Sequence, residues 1–174
     1  MLIIKNLEIN FLYYTILITF AFYLFFITLR DFLVSKFKNL SQLISHFGFS
    51  LFILSILFNN IFTTEIITNL KVGETFQSEK VIVKFENLTQ QQRQNFKSFV
   101  GKFTIKNPNG FSEIMEPELR IYNQPNITTS EADIKTNLLS DRFITMNTVQ
   151  NQDYFNIRYQ IKPFMIWIWF SVII

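Results

Sequence analysis

The chain of 174 residues contains no cysteine and a single histidine, with only four glycines and four prolines. Without cysteine, disulfides, thiolate metal sites and thiol catalysis are excluded. With one histidine, His46, and so few glycines, there is no Ser/His/Asp set and no Gly-rich phosphate loop. Charge is also sparse, with a net value of +3. Between Thr63 and Gln160, 11 basic residues balance 11 acidic ones, so the excess lies outside that stretch. No basic stripe of the kind a nucleic-acid surface needs is present, and nucleic acid is excluded as a partner. What is abundant is Phe, at 22 positions. Phe, Ile, Asn and Lys are all spelled by A/T-rich codons, which points to an A/T-rich genome such as an organellar one.

Long apolar runs organise the chain. Leu40 to Phe62, LSQLISHFGFSLFILSILFNNIF, carries no charged side chain. As a helix it reaches roughly 35 Å at about 1.5 Å per residue, enough to cross a bilayer core with some tilt. Before it, Phe11 to Leu29 forms a second uncharged run. A cleaved signal peptide would have a shorter apolar region, a more basic start and a small-residue cleavage site, so a retained transmembrane helix is expected. The intervening Arg30 to Asn39 predicts a short loop holding Arg30, Lys36 and Lys38 against Asp31. Such loops stay on the side of synthesis, so the N-terminus and the soluble domain are expected on the opposite side of the membrane. A third run, Phe164 to Ile174, FMIWIWFSVII, follows Lys162-Pro163 and reaches only about 16 Å, half a bilayer. Trp167 and Trp169 suit a membrane interface.

Within the Leu40–Phe62 run, Gln42, His46 and Ser50 are spaced by four and share a face, and Gly48 allows close approach of a neighbour. His46 lies roughly 7 to 8 Å from the segment's middle, towards the basic loop. An ionisable residue at that depth is costly and faces protein or a cofactor. Its own sequence context leaves two readings open: a haem or metal ligand, or a helix–helix hydrogen bond.

From Thr63 the period changes to two. Val81, Val83 and Phe85; Phe99, Gly101, Phe103 and Ile105; Leu119 and Ile121; and Phe155, Ile157, Tyr159 and Ile161 alternate with polar neighbours. Asn107-Pro108-Asn109-Gly110 supplies turn chemistry. This predicts several short half-buried strands in a small antiparallel sandwich or barrel. A short helix is predicted over Ser130 to Leu139, with Ser130 as N-cap. Glu113, Glu116 and Glu118 read as a solvated edge rather than a cation site. The expected fold is therefore an α+β membrane protein with two transmembrane helices and a partial third. A small antiparallel β sandwich or barrel stands between the second and third. Its parts are a transmembrane hairpin over residues 1–62, a soluble β domain over 63–161, and the start of a third membrane helix over 162–174.

Several short stretches, in this order, carry a family resemblance. They are Ser45-His46-Phe47-Gly48, Lys71-Val72-Gly73-Glu74 at the first strand, and Glu116-Pro117-Glu118-Leu119-Arg120-Ile121-Tyr122. Next come Thr129-Ser130-Glu131-Ala132-Asp133-Ile134 with Asp141, and Tyr159-Gln160-Ile161-Lys162-Pro163-Phe164 leading to Trp167-Ile168-Trp169. Together they resemble the C-terminal part of the CcmF family, the integral membrane component of the cytochrome c haem lyase. Two departures stand out. Ile166 stands where the family usually has arginine, and Gln90-Gln91-Gln92-Arg93-Gln94 replaces a shorter Gly/Pro-containing loop.

The resemblance implies that His46 is one axial ligand to the iron of a haem b within the membrane, with Gln42 or Ser50 near its second nitrogen. These 174 residues hold no other histidine, so the second ligand would come from a partner chain sharing the haem. The family's tryptophan-rich haem-handling segment is absent too, and no complete active site is expected here. The chain then reads as a C-terminal fragment of a split haem lyase in cytochrome c maturation. Its implied partners are the lipid bilayer, other lyase fragments carrying the second histidine and the Trp-rich segment, the haem donor and apocytochrome c. Its implied place is the mitochondrial inner membrane with the soluble domain in the intermembrane space, or a bacterial inner membrane with that domain in the periplasm. The alternative is a non-catalytic structural accessory subunit of a respiratory-chain membrane complex.

Overall fold

A computed structural model describes residues 2–34, 39–107, 110–149 and 153–174. The chain divides into two compact units. One comprises Met1–Thr63, Asn137–Ser140 and Pro163–Ile174, and the other Thr64–Thr136 and Asp141–Lys162.

The first unit is helical. Helix α1 runs from Leu2 to Val34, α2 from Leu40 to Phe62 and α3 from Met165 to Ile173. Spans Leu12–Val34 and Leu40–Phe62 are each long and apolar enough to cross a membrane. Helix α1 is longer at both ends than its uncharged run. Arg30 and Asp31 end the apolar stretch, but neither breaks a helix, and α1 continues through them to Val34. Lys36 and Lys38 lie outside the described residues.

Aromatic pairs fix an antiparallel α1–α2 hairpin. Phe22 meets Phe58 at 5.7 Å, and Phe25 meets Phe47 at 5.6 Å. One turn beyond Phe25, the Thr28 hydroxyl is 2.8 Å from that of Ser50 and hydrogen-bonded to it. Helix α3 lies on α2 with the opposite direction. Phe58 meets Phe164 at 5.3 Å near one end, and Gly48 faces Ser171 and Ile174 at the other. A β-carbon at Gly48 would stand 3.1 Å from the Ser171 carbonyl oxygen, so the absent side chain sets how closely the helices approach.

The second unit is a sandwich of two antiparallel sheets. One has strand order β1 (Thr64–Leu70), β10 (Phe155–Pro163), β9 (Ser140–Thr148), β8 (Asp133–Thr136). The other has order β2 (Thr75–Gln77), β3 (Ile82–Gln92), β4 (Phe96–Lys106), β6 (Glu118–Tyr122), β7 (Thr128–Glu131). Strand β5 (Ser112–Met115) also pairs with β4. The period-two pattern places the core as expected. Val83, Phe85, Phe103, Ile105, Leu119, Ile157 and Tyr159 are buried, joined by Met115, Ile144 and Met146. Phe85 and Phe103 are cross-strand partners with stacked rings 4.4 Å apart. The register slips by one between Phe85 and Asn87, so Leu88 returns to the same face and packs on the core.

The helix expected over Ser130 to Leu139 does not form. Strands β7 and β8 occupy most of that stretch, and the chain passes from one sheet to the other at Ala132. Tertiary hydrogen bonds override local helix propensity. Ser130 Oγ donates to the Met146 carbonyl at 2.8 Å, and Asp133 Oδ2 accepts the Glu116 N–H at 2.7 Å. The stretch Lys71-Val72-Gly73-Glu74 is the turn after β1 rather than part of it. There Gly73 sits at φ +90°, and its N–H reaches the Phe85 carbonyl at 2.7 Å. The Asn107–Gly110 turn falls partly on residues 108 and 109, outside the described residues.

Candidate functional site

Helix α2 is built to present one face and hide another. Its α1-facing edge carries Phe47, Ser50 and Phe58, and its α3-facing edge carries Gly48. At about 100° per residue, His46 lies roughly 160° around the helix from Gly48. The imidazole is exposed, and none of its hydrogen bonds goes to a described residue. Gln42, one turn earlier, and Phe49, three residues later, are exposed on the same side. The trio expected on one face is therefore split. Gln42 and His46 stay together on the open side, while Ser50 turns inward, fully buried. Its hydroxyl donates to the Phe47 carbonyl at 2.8 Å and is bonded to Thr28. Ser50 serves the helix pair and has no hydroxyl to spare for the imidazole.

This arrangement fits one half of a haem-iron site. His46 presents a single imidazole with an open approach within an apolar helix, the kind of donor that would hold a haem iron from one side. It does not fit a closed structural metal site, which needs several protein ligands. Among the described residues no group of three or more His, Cys, Asp or Glu side chains is gathered.

The acidic residues of the sandwich are not a single solvated edge. Glu113 lies on β5, its carboxylate nearly buried, with Arg142 Nε 2.8 Å from Oε1. That ion pair joins the sheet of β5 to the sheet of β9. Pro117 separates Glu113 from Glu118, which sits on β6 and accepts hydrogen bonds from Arg120 Nε at 2.9 Å and Ser98 Oγ at 3.1 Å. Arg158 on β10 donates to the exposed Glu65 carboxylate on β1 and holds its pKa below the ordinary range. The Tyr159 hydroxyl is buried without a hydrogen-bond partner among the described residues. Burial, reinforced by the Glu113 charge, pushes it up to about 12. Sequence reasoning missed the Glu113–Arg142 pair and the Thr28–Ser50 bond. Both join residues far apart in the chain, and neither leaves a periodic signal.

An apolar helical hairpin with one open-faced histidine, carrying a two-sheet antiparallel sandwich, defines a class of membrane protein. The family model described as the CcmF C-terminal beta-sandwich matches residues 61–163, and the chain belongs to the CcmF family. It is 24% identical over 128 residues to the cytochrome c-type biogenesis protein CcmF of Haemophilus influenzae, covering 74% of this chain and 20% of that protein. To NrfE, a cytochrome c-type biogenesis protein of the same organism, it is 24% identical over 88% of its length, covering 24% of NrfE. To CycK of Bradyrhizobium diazoefficiens it is 21% identical over 75% of its length, covering 20% of CycK. The chain thus spans a quarter or less of these relatives. A solved structure of the cytochrome c haem lyase CcmF shares the fold, with a TM-score of 0.62 and 15% identity over 88% of this chain and 27% of that one.

Proposed function

We propose that this chain supplies the C-terminal part of a cytochrome c haem lyase, with His46 as one axial ligand of a haem b inside the membrane. The observation that carries the reading is the exposed, unpartnered imidazole on the open side of α2, in a chain of the CcmF family. The bound haem would supply a redox-active iron. His46 would hold it from one side, and Gln42, one turn away on the same face, is placed to orient the second imidazole nitrogen. The other axial ligand would come from outside residues 1–174, on a partner that also carries the tryptophan-rich haem-handling segment. The sandwich would help to dock the haem donor and apocytochrome c. Charge around Arg30, Lys36 and Lys38 favours that loop on the side of synthesis. Composition favours the mitochondrial inner membrane, with the sandwich in the intermembrane space.

The test is a reduced-minus-oxidised absorbance spectrum of the gently solubilised complex, beside a mass-spectrometric inventory of its chains. A b-type band that disappears in His46→Ala, with strand circular dichroism unchanged, is the expected result. Full retention of that band in the variant would remove His46 from the site. Absence of the band in the native complex, with respiratory subunits as the only companions, would make the chain a structural accessory subunit instead.

A further inference from the structure

The link between β8 and β9, Asn137-Leu138-Leu139-Ser140, belongs to the helical unit. Its two leucines are 69% and 68% exposed. Adjacent exposed leucines at a hairpin tip are unfavourable in water. Yet both their carbonyls and the N–H groups of Leu139 and Ser140 are bonded within the protein. The Leu138 carbonyl accepts from Trp167 Nε1 at 2.8 Å, and the Leu139 carbonyl accepts from the Phe164 N–H at 2.8 Å. The N–H groups of Leu139 and Ser140 both donate to Asn137 Oδ1, at 2.9 and 2.7 Å. Exposed apolar side chains over a backbone whose carbonyls are bonded within the protein is an arrangement that suits hydrocarbon better than water.

The surroundings continue the same surface. Leu138 joins Ile166, Trp167 and Phe170 of α3 around a wholly apolar groove of about 230 Å³. Trp169 and Ile173 on α3 are also exposed. Just before the helix, the Pro163 carbonyl accepts from Asn59 Nδ2 at 2.6 Å, which sets the tip level with the last turn of α2. Phe164 itself adopts a left-handed conformation, φ 60°, with its N–H engaged by the tip. In sequence, Lys135 precedes the tip and Lys162 precedes α3, the placement by which lysines reach lipid headgroups.

We propose that Leu138 and Leu139 are immersed in the bilayer beside α3, with lipid acyl chains covering both leucines and filling the groove. The β8–β9 tip is then a further membrane contact of this protein, beyond its helices. The immersion does not depend on what His46 binds.

The chain has no cysteine, so L138C and L139C each introduce its only thiol. The full-length variants, labelled with an environment-sensitive fluorophore, are reconstituted in phosphatidylcholine–phosphatidylglycerol vesicles. Q91C, at the exposed end of β3, serves as reference. Brominated acyl chains are expected to quench both tip probes and to leave the Gln91 probe unchanged, while aqueous iodide quenches the Gln91 probe most strongly. Loss of bromolipid quenching at both tip positions overturns the proposal. With iodide quenching equal to that at Gln91, the tip would lie in water. With shielding from both quenchers, another protein segment would cover it.

Discussion

The two units of this protein bury opposite kinds of residue. In the sandwich the fully buried side chains are large and apolar, with Phe85 and Phe103 at 0% exposure and Ile105, Ile157 and Tyr159 at 1%. In the helical unit Ala21 and Leu54 are buried, but beside them stand Thr28, Gly48, Ser50, Ser55 and Ser171. Many large apolar side chains there point outward, and Phe20, Tyr23, Phe49, Trp169 and Ile173 are all more than half exposed. One sequence has thus been folded against two solvents. Water drives Phe and Ile into the sandwich core. Lipid gives no such drive, so beside their aromatic pairs the helices meet through small residues and short hydrogen bonds.

The sharpest way to break this comparison is Phe103→Ala. Phe103 stacks on Phe85 and has no exposed surface, so its loss leaves a cavity between the sheets. The expected cost to the sandwich is about 3–5 kcal/mol. Chemical denaturation of the full chain in detergent, followed by strand and helix circular dichroism, should show the strand transition move to much lower denaturant while the helix signal persists. A strand midpoint unchanged from wild type would mean that the sandwich does not rely on this core.

A smaller effect comes from Tyr159, held in the core with its hydroxyl unpartnered and its pKa pushed up to about 12 by burial and the nearby Glu113 charge. Here the folded state keeps a proton that the unfolded chain gives up near the ordinary value of about 10. Stability is therefore fully present below pH 10 and falls as pH rises towards 12, by up to about 1.4 kcal/mol per pH unit. Tyr159→Phe should remove that part of the slope, and at neutral pH it should gain about 1 kcal/mol by deleting an unsatisfied buried hydroxyl. The readout is the difference between the two proteins' denaturation midpoints across that range. Parallel curves would show that the hydroxyl is not held neutral in the core.

How much of this was legible follows from where each signal lives. Helix α2 was readable to its ends because 23 consecutive residues lack charge. The sandwich was readable because a half-buried strand alternates, and Val81, Val83 and Phe85 do so with no interruption. Ser130 to Leu139 misled because Ser-Glu-Ala-Asp satisfies the local rules for a helix start. The bonds that make it strand, to Met146 and from Glu116, are invisible in a local window. At the candidate site, His46 stood out by being the only histidine. A spacing of four could not tell that Ser50 turns towards α1 while Gln42 does not, since that depends on which edge of the face the neighbouring helix takes.

The gentlest test sits at the Thr28–Ser50 bond. Thr28 has the Leu24 and Phe25 carbonyls of its own helix within reach, at 2.9 and 3.0 Å, as alternative acceptors for the one hydroxyl proton it gives to Ser50. Ser50 likewise keeps the Phe47 carbonyl. Thr28→Val removes the link between the helices while retaining the branched shape, and it leaves Ser50 with a partner. In lipid such bonds contribute about 0.6 kcal/mol, because the separated helices find other partners for the same hydroxyls. A cycle of Thr28→Val, Ser50→Ala and the double variant, measured as unfolding free energy in bicelles, should return a coupling of about that size. A coupling above about 2 kcal/mol would mean that a single polar contact dominates the packing of the helices. The contrast with the sandwich would then be one of chemistry, apolar core against polar clasp, rather than of solvent.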